Sequence, residues 1–246
     1  MIPLRDANPT HRRPVVTVGL IAACIALFLV ELAVQSSEGD RGLERLFREY
    51  GLVPAFLTGQ LGGDQADQLY RALSTLVSSM FLHGDPLHIG FNLLFLWIFG
   101  NNVEDRLGHL GFLVFYLAGG LVAAAVQVAA DPTSRVPVIG ASGAIAAVLG
   151  AYVVLWPRAR VLSLVYFGLF FQLIQVPAIV LLGIWFLVQI AGAIMASGAS
   201  ASAGGVALFA HIGGFLAGVV LGALVRASGA GGRPRPMRST DRVRVG

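Results

Sequence analysis

The sequence predicts an all-α, polytopic membrane protein, a bundle of six transmembrane helices, and three observations carry that prediction. The composition is 56% hydrophobic and only 12% charged, about half the charged fraction of a soluble domain, with a mean hydropathy of +0.77. The apolar residues gather into runs of about 20, the length that crosses a hydrocarbon core. The 17 basic residues, all arginine, concentrate towards the ends of the chain and in short loops, as charges held on one side of a membrane do. Such a balance excludes an ordinary soluble domain. The net charge of +4 speaks to membrane orientation, and no nucleic-acid partner is expected.

Residues 1–14 carry Arg5, Arg12, Arg13 and three prolines and are expected to be an irregular cytoplasmic lead-in. The first span covers about residues 15–34. No small-residue cleavage site follows closely, so it reads as a retained helix. The single cysteine, Cys24, lies in this run and has no intramolecular disulfide partner, which leaves the redox compartment undecided. A long polar segment, residues 35–85, comes next. Within it Leu43, Leu46, Phe47 and Tyr50 recur at helical spacing and predict a short amphipathic helix on the membrane surface. Further spans are expected at about residues 87–103, 110–130, 137–156, 177–197 and 206–226, with a Gly/Ala/Ser loop before the last. Residues 227–246, rich in Gly, Pro and Arg, read as a disordered tail.

Residues 161–175 are apolar but short and contain Gln172 and Gln175, and they decide between six spans and seven. With six, the N-terminal arginines, Arg106, Arg158 with Arg160, and the tail from Arg226 onward share one side, which the positive-inside rule makes the cytoplasm. A seventh span would put the tail outside. The stretch is therefore expected to be interfacial or re-entrant, with both termini cytoplasmic.

In this topology the second, fourth and sixth spans enter from the outer face, and each carries unusual polar residues in its first two turns. These are His88 and Asn92, an i,i+4 pair on one helix face, then Ser142, then His211. At 1.5 Å per residue all four lie roughly 3 to 10 Å below the outer boundary. Taken singly, each has a packing explanation, because serine and histidine between membrane helices often bond a backbone carbonyl. Their coincidence at one depth is what points to a site. Gly214, Gly218 and Gly222 form a GxxxGxxxG ridge on the sixth span, and Gly140, Gly143 and Gly150 thin the fourth, which lets Ser142 and His211 approach.

The chemistry this set offers is acyl transfer. A serine hydroxyl needs an adjacent base, and His211 is available. His88 and the Asn92 amide are positioned to donate to a developing oxyanion. No carboxylate stands out as the third member of a triad, since Glu31 is the only acid within a span, so a Ser/His dyad is inferred. His83, Asp85 and His88 suggest a cation site only weakly, with no HExxH pattern present. The nucleophile elbow of soluble hydrolases is absent, because Ala144 stands where its second glycine would be.

These residues resemble those of the rhomboid intramembrane serine proteases. Gly140-Ala141-Ser142-Gly143 is similar to the family's serine motif and Ala210-His211-Ile212-Gly213-Gly214 to its histidine motif. His83-Gly84-Asp85-Pro86-Leu87-His88-Ile89-Gly90-Phe91-Asn92 is similar to its second-helix motif, with Gly100-Asn101-Asn102-Val103-Glu104-Asp105 at that helix's end. The resemblance implies Ser142 as nucleophile, His211 as general base, and His88, Asn92 and the Ser142 backbone N–H as oxyanion hole. It also implies a first loop packed in the outer leaflet, a lateral gate at span five with Phe91 and Trp185 as gate residues, and Glu104 as a structural acid. Two positions depart from the pattern. Ser74-Thr75 stands where many members have Trp-Arg, with Tyr70-Arg71 four residues earlier. Ala146 stands where some members place a tyrosine against the catalytic histidine.

The leading expectation is an intramembrane serine endopeptidase whose partners are transmembrane protein substrates and membrane lipid. Its active site would open toward the outer face, and no metal, nucleotide or other cofactor is expected. The alternatives are a non-catalytic, rhomboid-like membrane-protein binder and a solute or proton transporter using His88 and His211 as a relay. Against the first stand Ser142 and His211, both present; against the second, the lack of deeper charged pairs and of repeated broken helices.

Overall fold

The computed structural model describes residues 1–59, 65–167, 170–198 and 207–229. The expected Gly/Ala/Ser loop at 199–206 and the tail from 230 lie outside the described residues. The chain is mostly helical, with one three-stranded sheet. After strand β1 (Ile2–Asp6), helix α1 (Val15–Tyr50) runs 36 residues and bends at Gly39, where φ is +68°. Glycine bears that positive φ without the penalty a Cβ would bring. Beyond the bend the helix is amphipathic, with Leu43, Leu46 and Phe47 half-buried and Glu44, Arg45, Arg48 and Glu49 exposed, although Tyr50, expected on the apolar face, is exposed as well.

Helices α2 (Pro54–Leu57) and α3 (Gln65–Ser78) follow, so the polar segment is largely helical rather than loop. It is stitched to the segment before the serine. Leu52 and Val138 exchange backbone hydrogen bonds of 3.0 and 2.8 Å, and Gly140 N–H donates to Ser79 at 2.8 Å. Helix α4 (Pro86–Phe95) continues through a π-helical turn (Leu96–Gly100) into α5 (Asn101–Leu107), and α6 (His109–Ala130), α7 (Ser142–Leu155), α8 (Ala178–Gly198) and α9 (Leu208–Ser228) complete the bundle. Among the described residues α1, α6 and α9 are each long and apolar enough to cross a membrane, while α7 and the first part of α8 are shorter apolar helices.

The fold departs from all-α: residues 1–14 are not wholly irregular, and the stretch expected to be interfacial or re-entrant lies in a sheet. β2 (Arg160–Phe167) and β3 (Phe170–Pro177) pair antiparallel, and β1 pairs antiparallel with β2, Asp6 opposite Val161. The strand period is visible in burial, since Val161, Ser163 and Val165 are buried and their neighbours less so. Because both faces are apolar, however, the sequence shows no polar alternation to give it away. The fourth helix begins at Ser142, not at residue 137: the segment before it is bonded to Leu52 and Ser79, and Gly140, at φ +121°, turns the chain into the helix.

Helix α7 is the centre of the core, with nearly every residue from Gly143 to Tyr152 buried. It is flanked by α6 and α9. The approach of α9 is so close that a Cβ at Gly214 would meet the Gly143 carbonyl and one at Gly218 the Ala147 carbonyl. Small residues on both faces allow this contact, and close backbone packing is what holds helices together in an apolar solvent.

Candidate active site

Because α7 starts at Ser142, its first N–H groups have no carbonyl one turn earlier and point out of the helix end. The half-buried Ser142 side chain sits at this end. His211 is the fourth residue of α9 and is 6% exposed. The α7–α9 contact brings its Nε2 to 2.6 Å from Ser142 Oγ. The first turn of α9 is itself held by Gln127 of α6, whose Oε1 accepts from Ala210 N–H at 3.1 Å. The two residues expected to form a dyad, 69 positions apart in the chain, are therefore hydrogen-bonded.

The other nitrogen of the ring is also engaged. His211 Nδ1 lies 2.8 Å from Oε1 of Gln189, on α8. One turn earlier on the same helix, the Trp185 ring packs at 5.8 Å from the His211 ring and 6.2 Å from Phe215. Ala146, where a tyrosine was expected in some relatives, is fully buried against Gly214 of α9. The aromatic surface beside His211 comes from α8 instead. Sequence reading placed Trp185 at a gate and missed Gln189 altogether, since a glutamine in a long apolar run carries no motif. Phe91, the other expected gate residue, is exposed on α4.

The second-helix motif lies next to the serine. Asp85 caps α4, accepting from Leu87 N–H at 2.9 Å and His88 N–H at 2.8 Å. His88 Nδ1 faces Gly84 N–H at 3.5 Å, which leaves Nε2 as the nitrogen that carries the proton. That Nε2 lies over Gly140: a Cβ there would sit 2.7 Å from it and 3.6 Å from Ser142 Oγ. Gly140 has φ of +121°, so it needs glycine for its backbone as well as for the space. Asn92 is buried beneath, with its amide donating to the His88 carbonyl at 2.9 Å. Glu31, the acid in the first span, accepts from His83 N–H at 3.0 Å and so holds the turn that leads into α4. Beside Ser142 a cavity of about 30 Å³ is lined by Ser142 itself with Ser79, Met80, Gly120, Ala123 and Ala210, enough room for a water molecule.

Glu104 lies at the far end of the second helix. Its carboxylate accepts from Val16 N–H, Thr17 N–H and the Thr17 hydroxyl at 2.6 to 2.8 Å, and His109 Nδ1 is 2.6 Å away. It therefore caps the start of α1.

Ser142, His211 and the second-helix motif all lie within residues 66–228, which the rhomboid domain model matches. The chain belongs to the rhomboid family. It is 30% identical over 162 residues to "Rhomboid protein 1, mitochondrial" of Saccharomyces cerevisiae, covering 64% of this chain and 43% of that protein. It is 37% identical over 87 residues to "Presenilin-associated rhomboid-like protein A, mitochondrial" of Danio rerio, 35% and 23% of the two chains. It is also 41% identical over 76 residues to the "Rhomboid protease GluP" of Bacillus subtilis, 31% and 14% of the two chains. The matched stretches span less than half the length of each of these relatives. All the polar residues around Ser142 and His211 described above, apart from Glu31, fall within the rhomboid domain.

Proposed function

We propose that this rhomboid is an intramembrane serine endopeptidase that hydrolyses peptide bonds in or near the transmembrane helices of other membrane proteins. The observation that carries the proposal is the 2.6 Å hydrogen bond between Ser142 Oγ and His211 Nε2 at the N-terminal end of α7. One relative's printed name, a rhomboid protease, supports it.

Six helices span the membrane, α4 and α5 together counting as the second, with both termini cytoplasmic. Helix α7 has 14 residues, a rise of about 21 Å against a hydrocarbon core of about 30 Å. With its C-terminal end at the cytoplasmic face, its first residue lies inside the membrane and the site opens outward through the non-helical segment before it. Ser142 Oγ attacks the scissile carbonyl carbon as its proton passes to His211 Nε2. The carbonyl electrons move onto oxygen, facing the Ser142 N–H, His88 Nε2–H and the Asn92 amide; each such donor is worth about 3 kcal/mol in soluble proteases. The intermediate then collapses, the amine leaves with the proton from His211, and water hydrolyses the acyl-enzyme by the same steps. A substrate helix must unwind to expose its carbonyl, so small or helix-breaking residues near the scissile bond favour cleavage. Phe91 and Trp185 border the lateral route by which that helix enters.

The test is cleavage of a single-span reporter by purified protein in liposomes. Wild type is expected to cut, with Ser142→Ala and His211→Ala each at least about a thousandfold slower. A folded wild type that cuts none of a panel of reporters, or a Ser142→Ala variant that cuts as well, would replace the protease with a non-catalytic binder of membrane helices.

A further inference from the structure

We propose that Gln189 is the positioning residue of the catalytic base: its side-chain carbonyl accepts the Nδ1–H of His211 and so keeps the Nε2 lone pair turned to Ser142. The proposal rests on the protease reading and extends it from a dyad to a chain of three residues on three helices. The two ring nitrogens of a neutral histidine divide donor and acceptor between them, and whichever is hydrogen-bonded as donor leaves the other free as base. With Gln189 Oε1 at 2.8 Å from Nδ1, the proton belongs on Nδ1. Nε2, 2.6 Å from the hydroxyl, is then the acceptor that serine activation requires. The Trp185 ring limits rotation of the imidazole from the same helix, one turn away.

Gln189 is half-buried, so a carboxylate in its place can stay ionised, but its charge would favour the protonated imidazole. The carbonyl of glutamine orients the ring without that change. Because Gln189 belongs to α8 and His211 to α9, the hydrogen bond also reports the distance between the two helices. Once α8 moves so that the contact exceeds about 3.5 Å, it no longer holds the ring. Seating of α8 against α9 is thus a condition for an oriented base.

The experiment compares full-length wild type, Gln189→Leu and Gln189→Glu, reading kcat, KM and the pH profile of reporter cleavage, together with ¹⁵N NMR of the labelled His211 ring. In Gln189→Leu, kcat is expected to fall by about tenfold or more while KM stays within about twofold, the pattern of a lost transition-state contribution. In Gln189→Glu, kcat should return to within a few-fold of wild type, as a carboxylate orients the ring in soluble triads. Its acid limb should move to higher pH, because the negative acceptor favours the imidazolium. The ring should carry its proton on Nδ1 in wild type and show a mixture of tautomers in Gln189→Leu. A Gln189→Leu enzyme with wild-type kcat and tautomer overturns the proposal. So does a Gln189→Glu enzyme as impaired as the leucine variant with an unmoved acid limb, since Gln189 would then act only by packing. A wild type that cuts nothing, yet changes tautomer on Gln189→Leu, leaves Gln189 as the residue that orients His211 and places the failure on the protease reading.

Discussion

Glu104 is 1% exposed and binds groups from α1 and from the start of α6, so one carboxylate joins three helices at a single end of the bundle. Replacing it by Gln removes the charge that strengthens these bonds and puts an amide donor against backbone donors. With charged hydrogen bonds worth about 1.5 to 3 kcal/mol, Glu104→Gln is expected to cost about 3 kcal/mol in detergent unfolding at neutral pH. A Glu104→Gln variant that unfolds at the same detergent or denaturant midpoint as wild type would contradict this account. The same scale shows what a reader of the sequence can see. Ser142, His211, His88 and Asn92 stand out because polar side chains are rare inside apolar runs. Gln189 is equally polar, but its meaning lies entirely in which residue of another helix it meets.

At the scale of elements, the contact between α7 and α9 decides whether a site exists. Gly218 lies against the Ala147 carbonyl so closely that one added methyl group has nowhere to go, and the two helix axes must separate to admit it. Gly218→Ala is expected to destabilise the protein by about 2 kcal/mol, as overpacking does, and to depress cleavage by lengthening the bond between Ser142 and His211. Gly183 on α8 has no atom within 4 Å of its missing Cβ. Gly183→Ala should therefore leave stability unchanged or slightly raised, and equal losses in both variants would show that helix approach is not the cause. The glycine ridge on α9 was legible as a spacing of four. The start of α7 was not, because hydropathy stays high from Val136 into the first helical turn, and the bonds to Leu52 and Ser79 with the turn at Gly140 are what keep the preceding residues out of the helix.

The whole molecule is tied together through β1. Asp6, buried at the end of that strand, accepts from the Tyr152 hydroxyl at 2.9 Å and the Asn102 amide at 2.7 Å, and Asn8 donates to the same hydroxyl at 2.7 Å. The N-terminal strand is thus pinned to the C-terminal part of the helix that begins with Ser142. Tyr152→Phe is expected to cost about 1 to 3 kcal/mol, the penalty for leaving buried polar partners unsatisfied. It should also raise hydrogen exchange at residues 2–6 ahead of the rest of the sheet, and unchanged protection there would mean that the strand is held by β2 alone. By itself the sequence determined that this is a membrane protein of apolar helices, which family it resembles and which four polar residues stand out within its apolar runs. Those properties depend on composition, spacing and the cost of burying polar groups, all of which are local. The tertiary structure alone decided that the N-terminus is a strand of a sheet, that the fourth helix starts at the serine, and that a glutamine from a neighbouring helix holds the histidine. Each of these is a contact between segments far apart in the chain, and periodicity within one segment carries no record of what the other supplies.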